Sequence, residues 1–235
     1  MHASRAELRK RFDLAPGDRV LDAGCGALPF PLATHLCDLT GTDDSQRLLG
    51  AMPEPDRPFV EGDVQALPFR DKAFDFVFCT HVLEHVADPA AACRELERVA
   101  RRGYVECPAS WIERVFHSPD HRWLVDYERG RLVFREIAED EERDILGLQY
   151  EILRLLEDEG FRDYWQSPAV RRSRLVEVYW EGRLDAAVVR REERGAAGAF
   201  RWFHHLPKER PPALRPDRAE GLLRTLWRHA SRYAR

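Results

Sequence analysis

Residues 20–26 read VLDAGCG, a short apolar run that ends in Asp22 and two glycines. This pattern predicts a buried strand that leads into a glycine turn. Such a turn lets the backbone approach a nucleotide closely, because a Cβ at Gly24 or Gly26 would collide with the ligand. Pro29 occupies the position of the third glycine of the dinucleotide-binding pattern. The stretch therefore predicts a nucleotide-like ligand with a cationic amine and disfavours a nicotinamide-dependent oxidoreductase.

Strands and helices are predicted to alternate through the first half of the chain. Residues 74–82, FDFVFCTHV, are apolar almost throughout, as in strands that are covered on both faces. Asp88 and Pro89 predict a helix start, with an N-cap followed by a proline at the first helical position. This alternation predicts a parallel sheet with helices on both faces. The other predicted elements are strands at 38–43, 58–63 and 104–107 and a helix at 29–36.

Three acidic residues follow successive predicted strands. Asp22 ends the first strand, Asp43 ends the second, and Asp63 ends the third. Ligands bind at the carboxyl ends of parallel strands, so the three carboxylates are predicted to face one crevice. A carboxylate at the end of the second strand accepts hydrogen bonds from ribose hydroxyls in folds of this type. Together with the glycine turn, the three acids predict a nucleotide-like cofactor site.

Four stretches between about Arg19 and Ser110 resemble the motifs of the class I S-adenosylmethionine-dependent methyltransferases, type 11 among them. The stretches are VLDAGCG, TGTDDS, GDVQALPF and the segment that begins FDFVFCTHVLEHVADP. The resemblance implies a Rossmann-like, doubly wound α/β fold. It would have a mostly parallel seven-stranded sheet, helices on both faces and a β-hairpin insertion after strand 5. It also implies a cytoplasmic enzyme that methylates an O or N atom of a small-molecule or peptide acceptor by direct displacement.

The same resemblance implies which residues contact the cofactor and its product, S-adenosylhomocysteine. Asp43 would bind the ribose hydroxyls, Asp63 the adenine amine, and His81 would lie beside the sulfonium. The full implied set is Asp22, Gly24, Gly26, Asp43, Asp63, Val64, Thr80 and His81. A non-catalytic protein that binds S-adenosylmethionine on the same fold is the main alternative.

Two histidines, His81 and His121, are the catalytic candidates. His81 would act as a cofactor neighbour or as a base. His121 lies with Asp120 after the fifth strand, where it could contact the acceptor or remove a proton; a polar loop packed on a hairpin is the alternative. His81 and His85 have the i, i+4 spacing of metal ligands, but no third ligand is apparent nearby, so no metal site is expected.

Residues 111–137 are predicted to cap the active site, because the end of the fifth strand opens onto the same crevice. Their mixture of aromatic and polar residues suits an acceptor pocket; an interface of a homodimer is the alternative. The later patterns predict a hairpin around Glu128–Gly130 and a second hairpin over 173–189 with its turn at Glu181-Gly182. They also predict an amphipathic helix over 139–160 that ends at Gly160.

The chain has 235 residues and a net charge of −4 that is unevenly distributed. Residues 1–195, with a net charge of −10, are predicted to form the methyltransferase domain, and residues 196–235, with a net charge of +6, a basic linker and helix. The acidic body disfavours nucleic-acid binding, and the basic tail is either a solvated helix or a contact for an anionic partner. The sequence has no apolar run of membrane-spanning length, no apolar core of the signal-peptide type near its start and no CxxC pair, which predicts a cytoplasmic location.

Overall fold

A computed structural model of the chain describes residues 4–39, 56–116, 118, 120–137, 152 and 155–190. The chain divides into two compact units, the first of Met1–Pro108, Asp120–Ile137 and Val176–Arg194 and the second of Ala109–Pro119, Ala138–Leu175 and Gly195–Arg235. The described strands are β1 Val20–Ala23, β2 His35–Asp38, β3 Phe59–Glu61, β4 Phe74–Thr80, β5 Ala100–Pro108, β6 Trp123–Glu128, β7 Arg131–Glu136, β8 Leu175–Glu181 and β9 Ala186–Val189. The described helices are α1 Arg5–Phe12, α2 Pro89–Val99, α3 Ser110–Val115, α4 Glu159–Gln166 and α5 Pro168–Arg174. Within the described residues, these helices are all too short or too polar to cross a membrane.

The larger sheet of the first unit has the order β3-β2-β1-β4-β5-β8. Strands β1 to β5 pair in parallel. Strand β8 runs antiparallel to β5. The Gly182 N–H donates to the Arg101 carbonyl at 2.9 Å, and the rings of Tyr179 and Tyr104 lie 4.7 Å apart, so residue numbers fall along β8 as they rise along β5. The mostly parallel α/β sheet is confirmed. Six strands form it in the described part of the chain, where the sequence analysis predicts seven.

The sheet order changes direction at β1, which has β2 on one side and β4 on the other. A crevice therefore forms beyond the carboxyl ends of these strands, where such folds bind their ligands. Helix α2 starts as predicted: Asp88 Oδ1 accepts a hydrogen bond from the Ala91 N–H at 2.9 Å, and Pro89 occupies the first turn. The predicted apolar stripe on α2, of Ala92, Leu96 and Val99, is buried.

The second strand lies earlier in the chain than the sequence analysis predicts. Strand β2 is His35–Asp38, so the predicted helix over 29–36 is wrong. The predicted strand over 38–43 shares Asp38 with β2, and residues 40–43 of it lie outside the described residues. Pro29 and Pro31 lack N–H groups, and the Thr34 N–H donates to the Val20 carbonyl at 2.8 Å, so the chain enters the sheet directly. Asp38 thereby takes the strand-end position that was predicted for Asp43, which lies outside the described residues.

A smaller sheet of the first unit has the order β6-β7-β9. The β6–β7 hairpin is confirmed, with Arg129 and Gly130 at positive φ in its turn. The predicted second hairpin over 173–189 is wrong, because β8 belongs to the larger sheet and β9 pairs in parallel with β7. The two strands separate because their ends bond to different partners. The Gly182 N–H donates to the Arg101 carbonyl of β5, whereas the Asp185 carbonyl accepts from the Leu132 N–H of β7 at 2.9 Å.

The second unit contains α3, α4 and α5. Helix α4 starts at an N-cap, Asp158, whose Oδ1 accepts from the Phe161 N–H at 3.0 Å. Gly160 therefore lies in the first turn of a helix and does not end one, which corrects the predicted helix over 139–160; residues 139–151 lie outside the described residues. The predicted cap over 111–137 is not one element, since Ala109–Pro119 belongs to this unit and Asp120–Ile137 to the first.

Candidate functional site

The glycine turn after β1 is held against β2 by backbone hydrogen bonds. The N–H groups of Gly24 and Cys25 both donate to the Cys37 carbonyl, at 2.8 and 3.2 Å. Gly24 has φ 78° and Gly26 has φ 51°, conformations that favour glycine. A Cβ at Gly24 would overlap the Val82 side chain, whereas a Cβ at Gly26 would have no neighbour within 4 Å. The turn thus exposes the backbone of Gly26 on an open side.

Asp38, at the end of β2, joins the glycine turn to the second strand. Its Oδ2 accepts a hydrogen bond from the Gly26 N–H at 2.7 Å, and its Oδ1 accepts one from the Leu39 N–H at 2.8 Å. Oδ2 also accepts from the Cys25 thiol, at 4.0 Å between sulfur and oxygen. The sequence pattern places the strand-end acid at Asp43 and not at this residue. The two prolines before it, which shorten the connection from β1, are the signal that could have found it.

Asp22 is buried beneath the glycine turn. Its Oδ2 accepts from the Phe30 N–H at 2.6 Å, and Arg57 holds the same loop by donating to the carbonyls of Phe30 and Ala33. Burial raises the pKa of Asp22 to about 7; the Phe30 hydrogen bond opposes this rise and the charge of Asp38 adds to it. Asp22 therefore supports the loop from below in this structure, and its contact with a ligand stays a prediction.

Asp63 follows β3 and is held in place by Gln65. The carboxylate of Asp63 accepts from the backbone N–H of Gln65 at 2.8 Å and from its side-chain amide at 3.0 Å. The Gln65 Oε1 in turn accepts from the Asp88 N–H at 2.7 Å, which ties this loop to the start of α2. Val64, between the two, is buried. The loop after β3 is thus fixed at the same edge of the sheet as Asp38.

His81 directly follows β4 and lies between two buried carboxylates. Its Nδ1 is 3.4 Å from Glu84 Oε1 and its Nε2 is 3.3 Å from Glu106 Oε1, while half of the side-chain surface remains exposed. Burial lowers the pKa of His81, but its interactions with the Glu106 and Glu84 carboxylates outweigh this effect and raise the pKa to about 10. At neutral pH the imidazole is therefore protonated, which favours a role as cofactor neighbour over one as base.

The described edge of the sheet thus carries a glycine turn, a strand-end acid and a fixed acidic loop in the order that the family resemblance implies. A model of the methyltransferase domain family matches residues 21–105. Residues 21–105 are therefore similar to methyltransferase domains.

Relatives of the methyltransferase domain occur among bacterial and fungal proteins. Demethylmenaquinone methyltransferase of Corynebacterium efficiens is 38% identical over 101 residues, which cover 42% of this chain and 44% of that protein. The enzyme of the same name from Renibacterium salmoninarum is 40% identical over 92 residues, which cover 37% and 39%. The chain therefore spans less than half the length of these curated relatives. Among solved structures, the YcgJ protein from Bacillus subtilis is 23% identical with a TM-score of 0.38, covering 48% of this chain and 58% of that one.

The matched region, residues 21–105, contains all eight residues that were predicted to contact the cofactor, and the structure describes seven of them. All seven lie on or directly after β1, β3 or β4, and they are Asp22, Gly24, Gly26, Asp63, Val64, Thr80 and His81. The eighth, Asp43, lies outside the described residues. His121, the second catalytic candidate, lies beyond the matched region, and its ring packs edge-on against His85 at 4.5 Å between centroids.

Alanine at Gly24 and at Gly26 is expected to have unequal effects on the methyltransferase domain. Gly26→Ala adds the strain of a left-handed backbone, about 1–2 kcal/mol, without a clash. Gly24→Ala adds the same strain and also forces Val82 to move, which we expect to cost about 1 kcal/mol more. Urea unfolding of both variants followed by circular dichroism measures the difference. Equal losses in the two variants would contradict the described packing of the turn.

Proposed function

We propose that the chain binds S-adenosylmethionine and transfers its methyl group to a small-molecule acceptor by direct displacement. The observation that carries this proposal is the arrangement at the carboxyl edge of the sheet. There the Gly24–Gly26 turn, the Asp38 carboxylate and the Asp63 loop follow three adjacent strands of a methyltransferase domain. The strand-end carboxylate is the group that binds ribose hydroxyls in doubly wound folds.

The residues at this edge fit an amphipathic, positively charged cofactor. Leu28 and Leu39 are 74% and 67% exposed, and both lie on the loops that carry the predicted binding groups. Leu39 adjoins Asp38, so an adenine ring above a ribose bound by Asp38 would cover its apolar surface. The open side of Gly26 leaves room for the amino-acid part of the cofactor. The acids of these loops favour its cationic groups.

The cofactor, when bound, supplies an electrophilic methyl group, so the protein's task is to orient the acceptor and exclude water. In this proposal Asp38 holds the ribose, and the Asp63 loop with Val64 holds the adenine. Protonated His81, which Glu84 and Glu106 hold in place from below, lies at the methyl-bearing end. His121 does not act as the base in this proposal, because it packs against His85. An acceptor that ionises readily, such as a phenol, needs no base from the protein.

The relatives suggest the chemical class of the acceptor. Several share the name demethylmenaquinone methyltransferase, which supports a small aromatic or quinone-like acceptor over a peptide. Their match covers less than half of either protein. Turnover assays with a panel of hydroquinones, phenols and amines, monitored by the release of S-adenosylhomocysteine, test this class. Cofactor binding without turnover of any acceptor would favour the alternative of a non-catalytic binding protein.

Alanine at Asp38 is expected to weaken S-adenosylhomocysteine binding by about 10- to 100-fold. The carboxylate makes charge-assisted hydrogen bonds, whose loss costs about 1.5–3 kcal/mol. Titration calorimetry on the full chain measures the affinity. Asp38→Asn keeps an acceptor for the Gly26 N–H, so it separates loss of the turn from loss of the charge.

Asp43→Ala is the matched control for the Asp38 variants, because the sequence pattern alone assigns the ribose contact to Asp43. We expect its affinity for S-adenosylhomocysteine to stay within about 3-fold of the wild type. A strong loss in Asp43→Ala together with none in Asp38→Ala would reverse the assignment. No binding of either sulfur nucleotide at about 1 mM, which corresponds to about −4 kcal/mol, would refute the proposed function.

A further inference from the structure

Three potential metal ligands converge in the first unit, outside the groups that are assigned to the cofactor. They are Glu84 and His85, in the turn that follows β4, and His121, just before β6. One ligand atom from each residue can be chosen so that all three lie within 4.8 Å of one another. The described residues contain no other group of three or more such side chains that meets this condition.

Backbone contacts hold the two segments of this cluster together. The Arg122 N–H donates to the Glu84 carbonyl at 2.8 Å, and the Trp123 indole N–H donates to the Val86 carbonyl at 2.6 Å. The two acceptors are the residues on either side of His85, and the two donors are the residues that directly follow His121. The cluster is therefore placed by the backbone and does not depend on the side chains that form it.

The cluster contains buried polar atoms that have no hydrogen-bond partner. Glu84 is only 1% exposed, yet neither of its carboxylate oxygens accepts a hydrogen bond; His81 approaches one of them at 3.4 Å as a charge partner. The Nδ1 atom of His85 is also buried without a hydrogen-bond partner. Buried polar atoms are rarely left in this state, because each one costs about 1–3 kcal/mol. A ligand that accepts electron pairs would satisfy all of them at once.

We propose that Glu84, His85 and His121 bind a divalent transition-metal ion, with Zn²⁺ as the reference ion. Two imidazoles and one carboxylate suit Zn²⁺ and related ions, whereas Ca²⁺ and Mg²⁺ prefer oxygen ligands alone. In a tetrahedral site with bonds of about 2.0–2.1 Å the ligand atoms lie about 3.3 Å apart, so the side chains need to close by about 1.5 Å at most. The fourth position is left for water.

The bound ion would link the turn after β4 to the residue before β6, two segments that are 36 positions apart in the chain. It would thereby stiffen the turn that carries His81. This inference does not rest on the proposed function, because binding of the metal alone is its readout.

The test is titration of the chelator-treated full chain, without an added histidine tag, with Zn²⁺ alone in a calorimeter. We expect one ion per chain at a site that is lost in His121→Ala and in His85→Ala. The expected loss is at least about 100-fold, since loss of an outer-shell partner alone already costs 10- to 100-fold. Titration with Co²⁺ should produce the visible absorption of a tetrahedral complex, and this band should be absent from both variants.

Controls separate this site from the other histidines of the chain. His35→Gln and the double variant His204→Gln/His205→Gln change histidines outside the cluster and should retain the wild-type affinity for Zn²⁺. His121→Ala removes a partly exposed side chain, and circular dichroism of this variant verifies that it folds. Loss of the site in the double variant, unchanged affinity in folded His121→Ala, or no binding by the wild type at about 1 mM Zn²⁺ would each overturn the proposal.

Discussion

Replacing Trp123 with alanine is expected to lower the free energy of unfolding by about 3–5 kcal/mol. Trp123, at the start of β6, is only 1% exposed, and its indole N–H donates to the Val86 carbonyl at 2.6 Å. The guanidinium of Arg190 lies 4.8 Å from its ring centre. The substitution therefore removes apolar burial, leaves a cavity and leaves the Val86 carbonyl without this donor. Urea unfolding of the full chain followed by circular dichroism measures the loss.

A pair of phenylalanine variants isolates the hydrogen bond from the packing of Trp123. Trp180 is also buried, but its indole N–H has no hydrogen-bond partner. Trp123→Phe should lose about 1–3 kcal/mol for the unsatisfied Val86 carbonyl in addition to the loss of ring size. Trp180→Phe also loses ring size, but it breaks no hydrogen bond and removes an unsatisfied N–H, so its loss should be smaller. Equal losses in the two variants would show that the bond to Val86 does not hold β6 against the turn after β4.

Replacing Asp22 with asparagine is expected to stabilise the protein at neutral and higher pH, by up to about 4 kcal/mol. Burial raises the pKa of Asp22 to about 7, compared with about 3.9 in an unfolded chain. Each unit of difference corresponds to about 1.4 kcal/mol. Asparagine removes the buried charge and keeps an oxygen that accepts from the Phe30 N–H. The gain is an upper limit, because an amide is a weaker acceptor than a carboxylate.

The raised pKa of Asp22 makes its contribution to the free energy of unfolding depend on pH. Between about pH 4 and pH 7 the carboxyl of Asp22 is ionised in the unfolded chain and protonated in the folded one. The folded state then binds more protons, so the contribution of Asp22 to stability falls as the pH rises through this range and is constant above it. The difference between Asp22→Asn and the wild type should therefore be small at pH 4 and largest at pH 8.

Asp71→Asn is the matched control, because it removes an exposed carboxylate that pairs with Arg98 at 2.9 Å. A surface pair of this kind contributes at most about 1 kcal/mol, and its loss should not stabilise the protein at any pH. Thermal unfolding of the three proteins between pH 4 and pH 8 provides the comparison. A difference between Asp22→Asn and the wild type that does not change with pH would mean that Asp22 titrates normally in the folded state.

Local sequence patterns were sufficient to predict several elements that position the site. The VLDAGCG strand and turn, the N-cap at Asp88 with Pro89 after it, and the hairpin around Arg129-Gly130 all occur as expected. Each of these features depends on a few neighbouring residues, on the lack of a Cβ or on a missing N–H group. Such constraints involve only neighbouring residues and can therefore be recognised in the sequence itself.

The position of β2 and the path of the chain after Gly182 were decided by the tertiary structure. The segment DLTGTD has a pattern that is typical of a strand, but pairing with β1 begins at His35, because the Thr34 N–H bonds to the Val20 carbonyl and the prolines before it prevent a helix. Similarly, β8 and β9 read as one hairpin, yet they join different sheets through partners from β5 and β7. Strand register depends on residues that are distant in sequence, so spacing alone placed the end of the second strand at Asp43, whereas β2 ends at Asp38.

The histidines show the same division between local pattern and tertiary contact. The sequence alone determined that His81 and His85 follow β4 with the spacing of metal ligands, and it showed no third ligand. Only the fold brings His121 to Glu84 and His85, because the bonds from Arg122 and Trp123 anchor the start of β6 to that turn. His81 is not part of the proposed metal site, because the fold places it between Glu84 and Glu106. The sequence thus determined the first strand, the glycine turn and the similarity to methyltransferase domains, whereas pairing between distant segments decided which groups meet in space.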